Sequence, residues 1–302
     1  MTLDLHTHGL AGPDSHSTDP DEYLALAESY KSHGTDAFLP TLFPAPIDVM
    51  RAQMKAIKTA SELQSINRLE RFIKIGERDK HLCASIVGVH LEGPFVNPAK
   101  CGALDSGSFL QPDNYSLLRL VEGFEGFIKI ITVAPELPGA LALIEKAAEL
   151  GIRVNMGHSA ATFEQAKAGR AAGATGVTHL FNAMSGMHHR EPGLAGYALS
   201  DDRLYVEIIA DFAHVHPEMV KLVLRIKPPS RIILVSDSLS AAKTPGAPDM
   251  GPLYLEDGRT LAGSGITLAD AVKNIVSLGV PEETASSFAG VNPRRFLENT
   301  PN

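Results

Sequence analysis

The chain has 302 residues, of which 44% are hydrophobic and 21% charged, and it contains no tryptophan. That is apolar material for one large α/β barrel or two ordinary domains, and it excludes a disordered chain. The net charge of -8 argues against a nucleic-acid or anionic-membrane surface, yet a few local cations can still hold one phosphate.

Cys83 and Cys101 form no CxxC pair, so two reduced thiols in a cytoplasmic protein are expected rather than a disulfide framework or a thiolate zinc site. The start Met1-Thr2-Leu3-Asp4 lacks the basic and apolar regions of a signal peptide, and no uncharged apolar stretch reaches membrane-spanning length.

In chain order, short apolar runs alternate with amphipathic segments, which predicts parallel strands joined by crossover helices. Strands are expected at Thr2–Leu5, Ala37–Leu42, Ser85–His90, Ile128–Val133, Arg153–Met156, Gly176–His179, Leu204–Ile209 and Arg231–Val235. Helices are expected at Pro20–His33, within Ile47–His81, and at Tyr115–Glu122, Pro138–Leu150, Phe163–Ala172, Pro217–Ile226, Leu268–Leu278 and Glu282–Ala289. Eight strands with interleaved helices in this length give a (β/α)8 TIM-type barrel.

Local chemistry marks several boundaries. Asp19-Pro20-Asp21-Glu22 supplies an N-cap, a proline in the first turn and acids at the positive helix end. Gly34, Gly151 and Gly173 stand where a left-handed residue would end a helix. The Pro/Gly-rich stretch Lys243–Gly265 reads as an ordered loop with a hairpin turn at Glu256-Asp257-Gly258-Arg259. No repeat, low-complexity tract or linker divides the chain, so residues 1–302 are expected to form a single domain.

Histidines and carboxylates recur at successive strand ends, as a metal-dependent hydrolase on a barrel requires. His6 and His8 flank Thr7, and strand positions two apart point the same way, so both imidazoles can reach one ion. Glu92 lies just past a buried strand and must be solvated, paired or metal-bound. His90 is either a further ligand or a core histidine. His158 and His179 end the fifth and sixth strands. With Glu92 they make a two-histidine, one-carboxylate set that leaves positions open for water and substrate.

Asp237 ends the eighth strand and can relay a proton from water to a leaving amine, with a metal-ligand role as the alternative. His214 can polarise a carbonyl or bind an anion, whereas His216-Pro217 reads as a helix entry. Arg190 can grip a phosphate. The donor set accepts Zn, Fe, Mn or Co, with one or two divalent ions per subunit.

The ordered series Asp4–Gly9, Phe38–Leu42, His90–Phe95, Asn155–Ser159, His179–Met184, Arg190–Gly196, Ile209–Pro217, Val235–Asp237 and Leu261–Leu268 resembles the N-acetylglucosamine-6-phosphate deacetylase family of the amidohydrolase superfamily. The stretches HLEGPF, HLFNAM and REPGLAG are the specific ones. The resemblance implies Glu92, His158 and His179 as principal metal ligands, with His6 and His8 supporting a second ion. It implies Asp237 as general acid/base and His214 as a positioning or polarising group. Asn182, Ala183 and Arg190 would contact a phosphosugar, while Ala103 and Leu104 would sit near it and Leu261-Ala262-Gly263 would line the acetamido side. It further implies a homodimer in which Arg190 can act across the interface.

Three departures from the family pattern stand out. The family's small β-sandwich domain is expected to be mostly or wholly absent, because HxH begins at residue 6. Leu104 stands where the family has a substrate-contacting histidine, and Phe212 follows Asp211 where the family has glycine. Two rivals to phosphosugar deacetylation follow. One is an amidohydrolase acting on another N-acyl or a cyclic amide. Enzymes of the cyclic type often use a lysine at the end of strand four, but here that strand ends Thr132-Val133-Ala134-Pro135-Glu136. The other is a non-catalytic sugar-phosphate-binding protein, which the survival of every metal and proton-transfer residue disfavours.

Overall fold

The computed structural model describes residues 1–75, 83–244 and 251–298. Parallel strands take eight positions around a barrel. They are β1 (Leu3–Thr7), β2 (Ala37–Leu42), a third position split into β3 (Ser85–Ile86) and β4 (Val89–Leu91), then β5 (Ile128–Val133), β6 (Arg153–Met156), β7 (Gly176–Val177), β8 (Tyr205–Ile209) and β9 (Ile232–Val235). Neighbours in this order pair in parallel from β1 to β9. The ends of the path meet where the Asp237 amide donates to His6 O at 2.9 Å and the His8 amide to Ser238 O at 2.9 Å.

The expected helices form: α1 (Pro20–Ser32), α2 (Ile47–Ile75), α3 (Asn114–Val121), α4 (Ala140–Glu149) and α5 (Phe163–Ala171). The part of the second predicted helix that falls on residues 76–82 lies outside the described residues. Two helices were not read from the sequence, α6 (Gly193–Ser200) and α10 (Val291–Glu298). Between them lie α7 (Pro217–Ile226), α8 (Leu268–Ser277) and α9 (Glu282–Ala289). Asp19 caps α1 by accepting from the Asp21 amide, and Gly34, Gly151 and Gly173 all take positive φ, as the stop signals require.

Two strand expectations are corrected. The continuous run Ser85–His90 breaks at Val87-Gly88. Gly88 has φ 144, and a Cβ there would come within 2.6 Å of Phe127 O, so the chain steps closer to β5 than any other residue allows. The run Gly176–His179 stops at Val177, because His179 has left-handed backbone (φ 30) and cannot extend the ladder.

Apolar side chains fill two regions. A large cluster lies between strands and helices, and includes Phe38, Leu91, Val154 and Ile275. A smaller one, with Leu3, Leu5, Ile130, Tyr205, Ile233 and Val235, fills the barrel and is capped by Phe296 of α10. Among the described residues the other sheet is a hairpin of β10 (Pro252–Tyr254) and β11 (Leu261–Ser264), around the predicted turn, and no β-sandwich is present. Among the described residues no helix is long and apolar enough to cross a membrane.

Candidate metal centre and cavity

The C-terminal ends of the strands bring the predicted histidines and carboxylates to one point. Glu92 follows β4 and is 3% exposed. Its Oε1 lies 3.0 Å from both His158 Nε2 and His179 Nε2, and 3.4 Å from His6 Nε2. Its Oε2 lies 3.2 Å from His8 Nε2. Asp237 Oδ1 stands 3.3 Å from His8 Nε2 and 3.5 Å from His6 Nε2. His6, Glu92 and His179 form one group able to hold a metal ion, and His6, His8 and Asp237 another. His6 therefore faces both groups, whereas the sequence assigned it to the second ion alone.

Backbone carbonyls fix how two of these rings point. His8 Nδ1 donates to Thr41 O at 3.0 Å, and His158 Nδ1 donates to Lys100 O at 2.9 Å. A neutral imidazole that donates through Nδ1 carries its lone pair on Nε2. Those lone pairs converge with carboxylate oxygens. His158 and His179 Nε2 are 3.2 Å apart, as are His6 and His8 Nε2. Acceptors gathered this closely need a cation among them, and 3.2 Å matches the ~3.3 Å edge of a tetrahedron built on ~2.0 Å zinc–nitrogen bonds. The donor set thus fits a divalent ion.

Where no ion supplies the positive charge, the imidazoles themselves do, by carrying protons on Nε2. Burial alone would push Glu92 upward, but the imidazoles of His6, His158 and His179 hold its carboxyl well below the ordinary value. Burial also works against ionised Asp237, and His8 and His6 override it. Both carboxylates are therefore held in the ionised form. His90 is a core histidine: Nδ1 meets Leu5 O at 2.9 Å and Nε2 meets Thr132 Oγ1 at 3.0 Å, which leaves neither nitrogen for an ion.

One residue here has no counterpart in the sequence reading. Glu207, mid-way along β8 and 1% exposed, accepts from Asn155 Nδ2 at 2.7 Å and reaches His6 Nδ1 at 3.4 Å. A glutamate flanked by Val206, Ile208 and Ile209 was the available signal. His158, His179 and Asp237 also share left-handed backbone, with φ 45, 30 and 49. Such strain concentrates at functional sites.

Above the cluster opens a cavity of about 290 Å³. His8, Glu92, His158, His179 and Asp237 line it, as do His214, Ala103, Leu104, Asn182, Ala183, Leu261 and Ala262, so most predicted contact residues share one space. His214 Nδ1 donates to Asp211 Oδ2 at 2.6 Å, which leaves Nε2 free to act on a ligand. Two predicted contacts are not among the lining residues. Gly263 packs against the strand-end loop, where a Cβ would meet Asp237 O at 2.8 Å. Arg190 lies exposed in the loop before α6, with Nη1 2.9 Å from His189 Nε2. His216 caps α7 through Nδ1, in line with the helix-entry reading. Arg259, outside the sequence-based set, does line the cavity.

No protein-family model matches the chain. Relatives do. It is 34% identical to N-acetylgalactosamine-6-phosphate deacetylase of Escherichia coli O157:H7, over 98% of this chain and 76% of that protein. It is 33% identical to N-acetylglucosamine-6-phosphate deacetylase of Lysinibacillus sphaericus, over 90% of this chain and 69% of that one. Among solved structures, a variant N-acetyl-D-glucosamine-6-phosphate deacetylase from Mycobacterium smegmatis, in complex with N-acetyl-D-glucosamine-6-phosphate, superposes with a TM-score of 0.84 at 30% identity. That match covers 98% of this chain and 76% of the other. Fold, strand-end site and relatives agree: the chain belongs to the N-acetylglucosamine-6-phosphate deacetylase family of the amidohydrolase superfamily.

Proposed function

We propose that this chain hydrolyses the acetamide of an N-acetyl amino sugar 6-phosphate, releasing acetate and the free amine, and that residues 1–302 act as one barrel unit. The observation that carries the reading is the position of Asp237. An ionised carboxylate, 3.3 Å from His8 Nε2, faces the same cavity as Glu92, His158 and His179. Glu92, His158 and His179, gathered about Glu92 Oε1, would hold one divalent ion, and His6, His8 and Asp237 frame room for a second.

A divalent cation bound there supplies positive charge that acidifies water towards a pKa of ~7 and polarises a carbonyl. The chain's own groups do the rest. Asp237, held ionised by His6 and His8, takes the proton of the attacking water and delivers it to the departing sugar nitrogen. Protonated His214, its pKa raised against burial by Asp211 and its ring oriented by the same carboxylate, presents Nε2–H to the carbonyl oxygen as negative charge builds there. Asn182 and Ala183 support the sugar, and Leu261 and Ala262 cover the acetamido side. Leu104 gives the cavity an apolar lining where the family carries a histidine. The ion is one of Zn, Fe, Mn or Co, the protein works in the cytoplasm, and it pairs as a homodimer.

Acetate release from N-acetylglucosamine-6-phosphate, by protein reloaded in turn with zinc, iron or manganese, tests the reading. The galactosamine epimer and the unphosphorylated sugar run alongside. Release that requires both metal and phosphate supports it, and no release from metal-replete, folded protein refutes it.

A further inference from the structure

Glu136 follows β5, the strand between β4 and β6, and those two neighbours deliver Glu92 and His158. It is not among the residues that line the cavity above the metal centre. Its carboxylate is nevertheless fully engaged. Oε1 accepts from Asn97 Nδ2 at 2.8 Å and from the Ala160 amide at 2.6 Å, and Oε2 accepts from Ser159 Oγ at 2.7 Å. Asn97 belongs to the loop after β4, and Ser159 and Ala160 to the loop after β6. One carboxylate thus ties two loops together across the end of the strand between them. Hydrogen bonds to an ionised acceptor are roughly twice as strong as neutral ones.

His158 is what the two loops share. The Asn97 amide donates to His158 O at 2.9 Å, and Ser159 and Ala160 follow His158 directly. Asn97 also shapes the turn that meets the ring. Its Oδ1 accepts from the Ala99 amide at 2.8 Å, and its O accepts from the Lys100 amide at 2.8 Å. Lys100 O is the acceptor for His158 Nδ1 at 2.9 Å, the bond that leaves the Nε2 lone pair facing Glu92. Glu136 therefore reaches His158 by two routes, through the backbone that follows it and through the carbonyl that sets its tautomer. The left-handed backbone of His158, φ 45, is a conformation that persists only where the surroundings overdetermine it.

We propose that Glu136 is a positioning residue: acting through Asn97 and Ser159, it aims His158 Nε2 at the ion, a role that rests on the metal-dependent reading above. The probe is cobalt(II), whose visible absorption reports the geometry around the ion as well as its affinity. It is titrated into metal-stripped wild type, Glu136→Ala, Glu136→Gln, Ser159→Ala and Asn292→Ala. Asn292 Nδ2 donates to Pro229 O and Ile232 O, each at 2.7 Å, at the opposite end of the barrel, so its loss weakens the fold away from the site.

Glu136→Ala is expected to bind cobalt at least tenfold more weakly and with altered absorption, the range seen when groups behind a ligand are removed. Glu136→Gln keeps an acceptor for Asn97 and Ala160 and can donate to Ser159 Oγ, so it is expected to recover most of the affinity. Ser159→Ala, which drops a single arm, is expected to fall between wild type and Glu136→Ala. Asn292→Ala is expected to melt at a lower temperature and to bind cobalt as wild type does.

Binding by Glu136→Ala within twofold of wild type, with the same spectrum, overturns the proposal. So does equal weakening in Asn292→Ala, a Glu136→Gln variant no tighter than Glu136→Ala, or no cobalt binding by wild type. If Glu136→Ala does not fold, Ser159→Ala carries the test, and binding like that of wild type then overturns the proposal. Acetate release by wild type is measured in parallel. Cobalt binding weakened by Glu136→Ala, without acetate release by wild type, leaves Glu136 in place and removes the deacetylase reading. Acetate release by wild type, with unchanged cobalt binding by Glu136→Ala, removes Glu136 alone.

Discussion

Asp211 Oδ2 stands 2.6 Å from Nδ1 of His214, three residues on in the loop after β8, and holds from a buried position the histidine that lines the cavity. Burial lowers the histidine's pKa, but the Asp211 hydrogen bond and charge, with the Asp237 charge, bring the net shift upward. Burial raises Asp211, and His214 brings it below its ordinary value. The signs define a window. The histidine's share of stability is complete below its unfolded pKa of ~6.5 and is lost as pH rises through the higher folded value. The aspartate's share is complete above ~3.9 and is lost as pH falls through the lower folded value. The pair therefore stabilises most between about pH 4 and 6.5. Thermal melts across pH are expected to show this dependence in wild type and to lose it in His214→Ala. Asp211→Asn is expected to lower kcat, and a melt profile identical to wild type in His214→Ala would remove the pair from this role.

Replacing Asp237 with asparagine preserves shape and removes the base. The ion assigned to Glu92, His158 and His179 is expected to stay bound, while acetate release falls by ~10²- to 10⁴-fold. Metal analysis and turnover on the same preparation check this, and normal turnover in a metal-replete variant would exclude Asp237 as the proton carrier.

Removing metal is expected to lower the melting temperature. Converging imidazole lone pairs and two buried carboxylates repel one another without a cation, and an ion at 100 times its Kd adds about 2.7 kcal/mol. Dialysis against a chelator followed by zinc titration in a thermal-shift assay measures the effect. A melting temperature that ignores both treatments counts against an ion at this cluster.

Glu207 stands behind His6 on the side away from the ligand cavity. Groups that support a ligand from behind typically change metal affinity 10- to 100-fold when altered. Glu207→Gln is expected to lower retention of the ion that depends on His6 and His8, read as metal per chain after dialysis. Unchanged stoichiometry would show that the Asn155–Glu207 contact serves packing only.

What the sequence made legible follows from local physics. α1 was readable because Asp19, Pro20 and Gly34 mark both ends by their own backbone preferences. The gathering of these histidines and carboxylates at one point was readable because each member follows an apolar run, and barrel strands all deliver their ends to one face. α6 was hidden because Gly-Leu-Ala-Gly starts after Pro192 with no side-chain cap, and its burial comes from tertiary packing. Glu207 looked like an interruption of an apolar strand until Asn155 and His6 were brought beside it. Arg259 was read only as part of a hairpin turn, since nothing local says that a hairpin folds back over the cavity. The Phe212 departure also gains a physical reading: at φ 65 phenylalanine takes the left-handed backbone a glycine would adopt freely, at a strain of about 1–3 kcal/mol.

α10 carries a further consequence. Phe296 covers the barrel floor among Leu3, Leu5 and Ile233, and the Arg294 guanidinium donates to Met1 O at 3.2 Å. The two ends of the described chain are thus neighbours, on the face opposite the cavity. Joining them by a short linker and opening the chain in an exposed loop would leave every strand end in place. A fusion partner attached at either end would likewise hang beneath the barrel and leave the mouth clear for substrate.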